Sequence, residues 1–182
     1  WESTSDSSST PLPSLSKTRN AASIDWKMAC ESSLAVGGSD AIVAGRLANE
    51  EGEIDAPIAR HPVHRKLMAV QPAASRHART GWRVLERLAK CTLLEARLFT
   101  GRTHQIRVHF KHIGFPLIGD VMYGSKATAQ LANDTGVRAE RQMLHARHLS
   151  FTHPRSGERK SFEAAWPSDF EESVNALRKV EE

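Results

Sequence analysis

The sequence predicts an α+β fold, with a mixed, mainly antiparallel sheet and flanking helices. Residues 81–88 and 94–98 alternate apolar and polar side chains as two half-buried strands of one hairpin do. Residues 104–113 and 168–180 carry apolar residues at helical spacing. Strand and helix segments mix without the regular alternation that a parallel sheet with crossover helices needs.

Taken in order, residues 1–20 are rich in Ser, Thr and Pro and nearly devoid of apolar side chains. Such a stretch cannot offset the entropy lost on ordering. Trp26, Met28 and Leu34 could anchor a short helix ended by Gly37-Gly38. Residues 1–38 are therefore expected to be disordered or poorly ordered, and 39–182 to form the folded part. Ala41–Ala44 reads as a short strand and 49–52 as a turn, while 57–79 is expected to be a long basic loop holding three prolines. Along 81–88, Trp82 and Val84 face one way, with Leu88 as a further candidate. Leu94, Ala96 and Leu98 alternate with Glu95, Arg97 and Phe99.

Ile106, Val108, Phe110 and Ile113 suit a helix that Gly114 stops. An Ala/Thr/Gln-rich insert or helix follows over 125–142, then a strand over 144–151, a turn at 154–157 and a return strand over 160–165. In the terminal helix Ser168 makes an N-cap with Glu171 three residues on, the capping-box pattern.

The chain of 182 residues accommodates one domain with a core, at 40% hydrophobic and 25% charged residues. No apolar stretch nears the roughly 20 residues of a membrane span. The start lacks the basic-then-apolar pattern of a secretory signal, and Glu2 and Asp6 argue against a transit peptide. Cys30 and Cys91 lie far apart, as two free thiols do, and neither a disulfide scaffold nor a cysteine-based zinc site fits them.

The net charge of +4 is unevenly spread. Residues 1–58 hold 4 Lys/Arg and 9 Asp/Glu, residues 59–112 hold 12 and 2 with six histidines, and residues 113–182 hold 9 and 10. So basic a middle section reads as a surface for a polyanion, since neutralised phosphates release counterions. A solvated basic face without a partner is the alternative.

At 101–109 a strand ends, Gly101 permits a tight turn and a helix begins near Thr103. Arg102 stands at its entrance and Arg107 about one helical turn further on. A carboxylate or phosphate held between them fits this arrangement, and so does a capped helix whose arginines pair with structural acids. His109 and His112, like His61 and His64, are three apart without further ligands nearby, so no metal is expected.

The run Thr100-Gly-Arg-Thr-His-Gln-Ile-Arg-Val-His109, continuing through Ile113-Gly-Phe-Pro-Leu-Ile-Gly-Asp120 to Tyr123-Gly124, closely resembles the C-terminal signature of the RluA-type pseudouridine synthases. Residues 41–45, 52–62 and 65–70 resemble that family's central section, and 144–154 and 162–167 its closing strands. The resemblance runs in order from about residue 41 to 170. It implies a pseudouridine synthase-like catalytic domain, incomplete at its N-terminal side, that isomerises uridine to pseudouridine in RNA without cofactor or metal. The implied partner is ribosomal or transfer RNA, met by a monomer off the membrane, in the cytoplasm or a eukaryotic organelle.

By position, Arg107 resembles the arginine that pairs with the catalytic Asp and keeps it ionised. Gly101, Arg102, Thr103, His104 and Gln105 would shape the substrate pocket, with Leu117 below it. Arg60, Arg65, Lys66, Arg79 and Lys111 would follow the RNA backbone. The family's His-Arg-Leu-Asp block with its following Thr-Ser-Gly has no counterpart in this chain, and Ser39 falls near the place of its base-stacking Tyr. Its N-terminal S4-like module has no counterpart either. The start at Trp1 and the loss of resemblance near residue 40 fit the C-terminal part of a longer synthase better than a degenerate paralogue. Two functions follow: a synthase completed by its missing half, or a catalytically inactive RNA-binding module on the same fold.

Overall fold

The computed structural model describes residues 35–71 and 76–180. In chain order come β1 (Ala35–Ala44), β2 (Glu51–Asp55), β3 (Ile58–Arg60), β4 (Met68–Val70), β5 (Arg79–Leu88) and β6 (Cys91–Leu98). They are followed by α1 (Gln105–His112), α2 (Ser125–Thr135), β7 (Leu144–Thr152), β8 (Arg159–Glu163) and α3 (Ser168–Lys179). Six strands form one sheet in the order β2-β5-β6-β1-β7-β8, and β3 with β4 makes a separate ribbon. Every strand pairing among the described residues is antiparallel.

The middle of the sheet is covered on both faces. Ala41, Val43, Trp82, Leu94 and Ala96 meet Ile106 and Phe110 of α1 on one side. Ile42, Leu88, Cys91 and Leu93 meet Phe170, Val174 and Leu177 of α3, with Leu131 of α2, on the other. Leu93 and Leu94 are consecutive and both buried, as residues of a strand enclosed on two sides are. Cys91 is a free, fully buried thiol that burial pushes up to about 12. Cys30 lies outside the described residues.

The structure changes several of the expected elements. Strand β1 already starts at Ala35, so the folded part reaches at least four residues ahead of residue 39, and the expected disorder at 1–34 lies outside the described residues. Leu88 lies on the opposite face from Trp82, because a bulge between Val84 and Glu86 inserts one residue and reverses the side-chain alternation. The expected loop at 57–79 contains the β3–β4 ribbon, which Ile58 seats against Val108 of α1 and Tyr123. Its strands are three residues each, too short for alternation to show among the prolines. At the last helix Pro167 is the N-cap and Ser168 the first helical residue, with no side-chain cap bond. The capping box does not form, and the Phe170 and Glu171 N–H groups donate to the Pro167 carbonyl instead.

One backbone position bears directly on the site. Gly119 sits at φ +73°, and a Cβ there would lie 1.7 Å from the Arg141 carbonyl oxygen. Both the left-handed conformation and the close approach call for glycine. Gly119→Ala is expected to lower stability by at least about 1–3 kcal/mol, the range for a strained backbone residue, and more if Arg141 cannot move. Urea unfolding against wild type measures it.

Candidate functional site

Helix α1 organises the site. Its N-cap is His104, held at φ 56°, ψ 24°. The left-handed residue is thus His104, one that tolerates this region better than most; Gly101 has ordinary φ and open space where a Cβ would stand. Gln105 is 3% exposed and fully engaged. Its Oε1 accepts from Thr100 Oγ1 (2.8 Å) and the Arg102 N–H (3.0 Å), and its Nε2 donates to the Arg79 carbonyl (3.0 Å) and Thr80 Oγ1 (2.9 Å). Gln105 therefore shapes the 100–104 turn from beneath and has no group left for a ligand.

His109 extends the same network. Its Nε2 donates to the Ala56 carbonyl at 2.8 Å, so Nδ1 accepts from Thr80 Oγ1 at 2.9 Å. Burial drives its pKa down, and the bond to Ala56 offsets this only in part. It is a neutral histidine joining α1 to β5 and the start of the ribbon. Among the described residues no group of three or more His, Cys, Asp or Glu is placed to hold a metal.

Arg107 is already paired. Its Nε donates to Asp120 Oδ2 and its Nη2 to Asp120 Oδ1, both at 2.7 Å, in a two-pronged bond between side chains 11% and 0% exposed. Asp120 Oδ1 also accepts from the Met122 and Tyr123 N–H groups, at 3.0 and 3.1 Å. Burial alone would raise the Asp120 pKa. The Arg107 hydrogen bond and charge, with the two backbone donors, outweigh it and leave the carboxyl below its ordinary value. Of the two readings for 101–109, Arg107 follows the one in which a structural acid takes the guanidinium. Leu117 is completely buried in the core with Ile106 and Phe110 and does not line a cleft.

What does line a cleft is different. Between the β3–β4 ribbon and the turn before α1 lies a cavity of about 480 Å³ bounded by Arg60, Lys66, Arg76, Arg102, Thr103 and His104, with Gly101 and the ribbon backbone. Among the described residues no acidic side chain lines it. Arg102 Nε donates to the His77 carbonyl at 3.0 Å and Arg60 Nη1 to the Arg65 carbonyl at 3.2 Å. Both guanidinium groups are thus oriented without being neutralised by those bonds. The far wall is fixed by Tyr123, whose Oη accepts from the Met68 N–H at 2.9 Å and lies 3.0 Å from His104 Nδ1.

The basic residues thus divide into two sets. Strand pairing brings Glu53 onto Arg79 at 2.6 and 2.7 Å, so Arg79 is a neutralised sheet residue that also stacks on Phe99. Glu95 takes Arg83 and Glu50 takes Arg87. Arg60, Lys66 and Arg102 converge on the cleft, joined by Arg76, which the sequence reading missed because nothing local sets it apart. Arg65 is exposed beside them, contributing its carbonyl, and Lys111 lies over the Tyr123 ring at 5.4 Å. Asp120 and Tyr123 were also missed as site residues. Both stand in the quoted signature, but only the fold shows what they hold.

The comparisons with known proteins agree with this architecture. A sequence profile of the RNA pseudouridylate synthase family matches residues 41–112. Ribosomal large subunit pseudouridine synthase D of Nitrosomonas europaea is 46% identical over 140 residues, covering 77% of this chain and 40% of that protein. The protein of the same name from Pseudomonas aeruginosa is 45% identical over 148 residues, covering 79% and 46%. Over these residues the chain is similar to the RluA-type pseudouridine synthases. It spans less than half the length of the curated family members it matches. The solved structure of human RNA pseudouridylate synthase domain containing 1 shares the fold, with a TM-score of 0.64 at 24% identity over 74% of this chain and 56% of that one.

The ion pair yields a prediction with a definite pH course. Asp120→Asn strands the buried Arg107 charge and is expected to cost about 3–5 kcal/mol at pH 7, the range for breaking a buried pair. The folded-state pKa of Asp120 is depressed, so its contribution is present above the unfolded value of about 3.9 and is lost as pH falls through the folded value. The difference between wild type and Asp120→Asn should therefore shrink from pH 7 to pH 3. Denaturant unfolding at both pH values measures it, and a constant difference would count against the pairing. Leu117→Ala should cost about 2–5 kcal/mol, as a large-to-small core change does, and should leave RNA affinity of the folded fraction unchanged in a filter-binding assay.

Proposed function

We propose that this chain is the cationic half-site of an RNA pseudouridine synthase. The observation that carries the reading is the cleft lined by Arg60, Lys66, Arg76, Arg102 and His104 and, among the described residues, by no acid. Such a cleft suits phosphates: guanidinium groups are planar donors for phosphate oxygens, and a concavity lined by one sign of charge focuses its field. Similarity to the family supplies the reaction, isomerisation of uridine to pseudouridine in RNA.

In this reading the carboxylate of that reaction is supplied to the cleft from outside it. Asp120 is enclosed and held by Arg107, and Asp40 is 2% exposed with its Oδ2 bound to Trp166 Nε1 at 2.6 Å and Arg147 Nη1 at 3.3 Å. Neither can attack a sugar in the cleft. Arg102 lines the cleft and Arg107 is held by Asp120, which supports Arg102 as the arginine that would meet an incoming carboxylate and lower its pKa. Arg107 keeps a positioning role. The second reading, an RNA-binding module without turnover, describes the same cleft when no carboxylate is supplied.

Two outcomes test this. The chain alone should bind single-stranded RNA with an affinity that falls steeply with salt, and Lys66→Ala should flatten the log–log slope by about 0.7, the value for one phosphate contact on a single strand. Tritium release from RNA labelled at uridine C5 should be absent for the chain alone. It should appear when a segment bearing the family's Asp block is supplied, and be lost with Arg102→Ala. Turnover by the chain alone would show that a carboxylate within it does the chemistry.

A further inference from the structure

We propose that His104 is a neutral hydrogen-bond donor to RNA: Tyr123 fixes its tautomer so that Nε2–H points its proton at a phosphate oxygen lodged in the cationic cleft. The inference rests on the reading of that cleft as the RNA site and assigns one of its contacts.

The geometry favours one tautomer. Tyr123 Oη accepts the Met68 N–H at 2.9 Å, and its own proton then has His104 Nδ1 at 3.0 Å as its partner. Donation to Nδ1 gives the hydroxyl proton an acceptor, which is why this tautomer is the one we take. With Nδ1 accepting, the imidazole proton resides on Nε2. No hydrogen bond within the described residues engages Nε2, and His104 lines the cleft with Arg60, Lys66, Arg76 and Arg102.

The surroundings favour the uncharged ring. Burial lowers its pKa first and the Arg107 charge lowers it further, with Asp120 opposing. The groups around it are Tyr123, Arg107, Asp120, the cleft cations and Lys111 above the Tyr123 ring. The Arg and Lys side chains keep their charge between pH 6 and 8, so nothing in that window switches the donor. A neutral donor among cations adds direction without adding charge: the cations attract the phosphate through counterion release, and Nε2–H fixes where one oxygen sits. The left-handed backbone of His104 fits this, as it aims the ring across the turn at Tyr123 and not along α1.

The test is the affinity of the chain for a fluorescein-labelled, short single-stranded RNA by anisotropy, across salt and between pH 6 and 8. His104→Asn keeps a side chain suited to left-handed backbone and a polar group where Nδ1 stood, but removes the Nε2 donor. It should weaken binding several-fold, with the salt slope unchanged and the ratio to wild type constant with pH. His104→Gln, whose amide reaches the Nε2 position, should recover part of the loss, which a purely structural histidine would not allow. A melting scan confirms that both variants fold. Equal affinity of His104→Asn and wild type overturns the assignment. So does a slope reduced as for Lys66→Ala, or a ratio that grows toward pH 6, since either makes His104 a cation. Absence of salt-dependent binding by wild type overturns the RNA reading of the whole cleft, and is distinguished by failing before any variant is compared.

Discussion

The buried pair of Arg107 and Asp120 is the contact on which the site's shape depends. Two charges this enclosed persist only when their remaining hydrogen-bonding capacity is met. Asp120 meets it by taking the Met122 and Tyr123 N–H groups along with the guanidinium. That sets the 120–124 turn, the turn sets Tyr123, and Tyr123 holds both the β4 backbone at Met68 and the ring of His104. One carboxylate thus connects helix, loop, ribbon and cleft wall. The pair's value lies in position more than in net stability, because a buried ion pair of this kind is often matched by well-packed apolar residues.

Around that anchor the chain separates its charges by topology. Glutamates from β2, β6 and the segment before β2 neutralise arginines of β5, so the sheet carries ion pairs where the sequence shows only a basic run. Among the described residues the cations of the ribbon and of the turn before α1 receive no such acids. The cationic surface is therefore confined to one cleft, although the basic stretch in sequence is fifty-four residues long.

Much of this was legible in the sequence. The β5–β6 hairpin, helix α1 and its Gly114 stop, β7 with β8, and the terminal helix all follow from periodicity and turn residues. Arg102 and His104, read as pocket residues, do line the cleft with Arg60 and Lys66. What escaped was everything set by contacts distant in sequence. Thirteen residues separate Arg107 from Asp120, and no local pattern says which carboxylate will fill its fork. The ribbon was hidden by strands of three residues among prolines, and the reversal at Leu88 by a one-residue bulge. Arg79 reads in sequence like Arg60, and only strand pairing with β2 tells them apart.

The most direct measurement is a titration of the isotopically labelled chain with short single-stranded RNA, followed by NMR of backbone amides and arginine Nε–H groups. The account predicts that the largest shifts fall on the ribbon, on Arg76 and on Gly101 to His104, with the Arg102 Nε–H moving and the Arg107 Nε–H unmoved on Asp120. Shifts concentrated on α2 and α3, or an Arg107 that leaves Asp120 to meet the RNA, would contradict it.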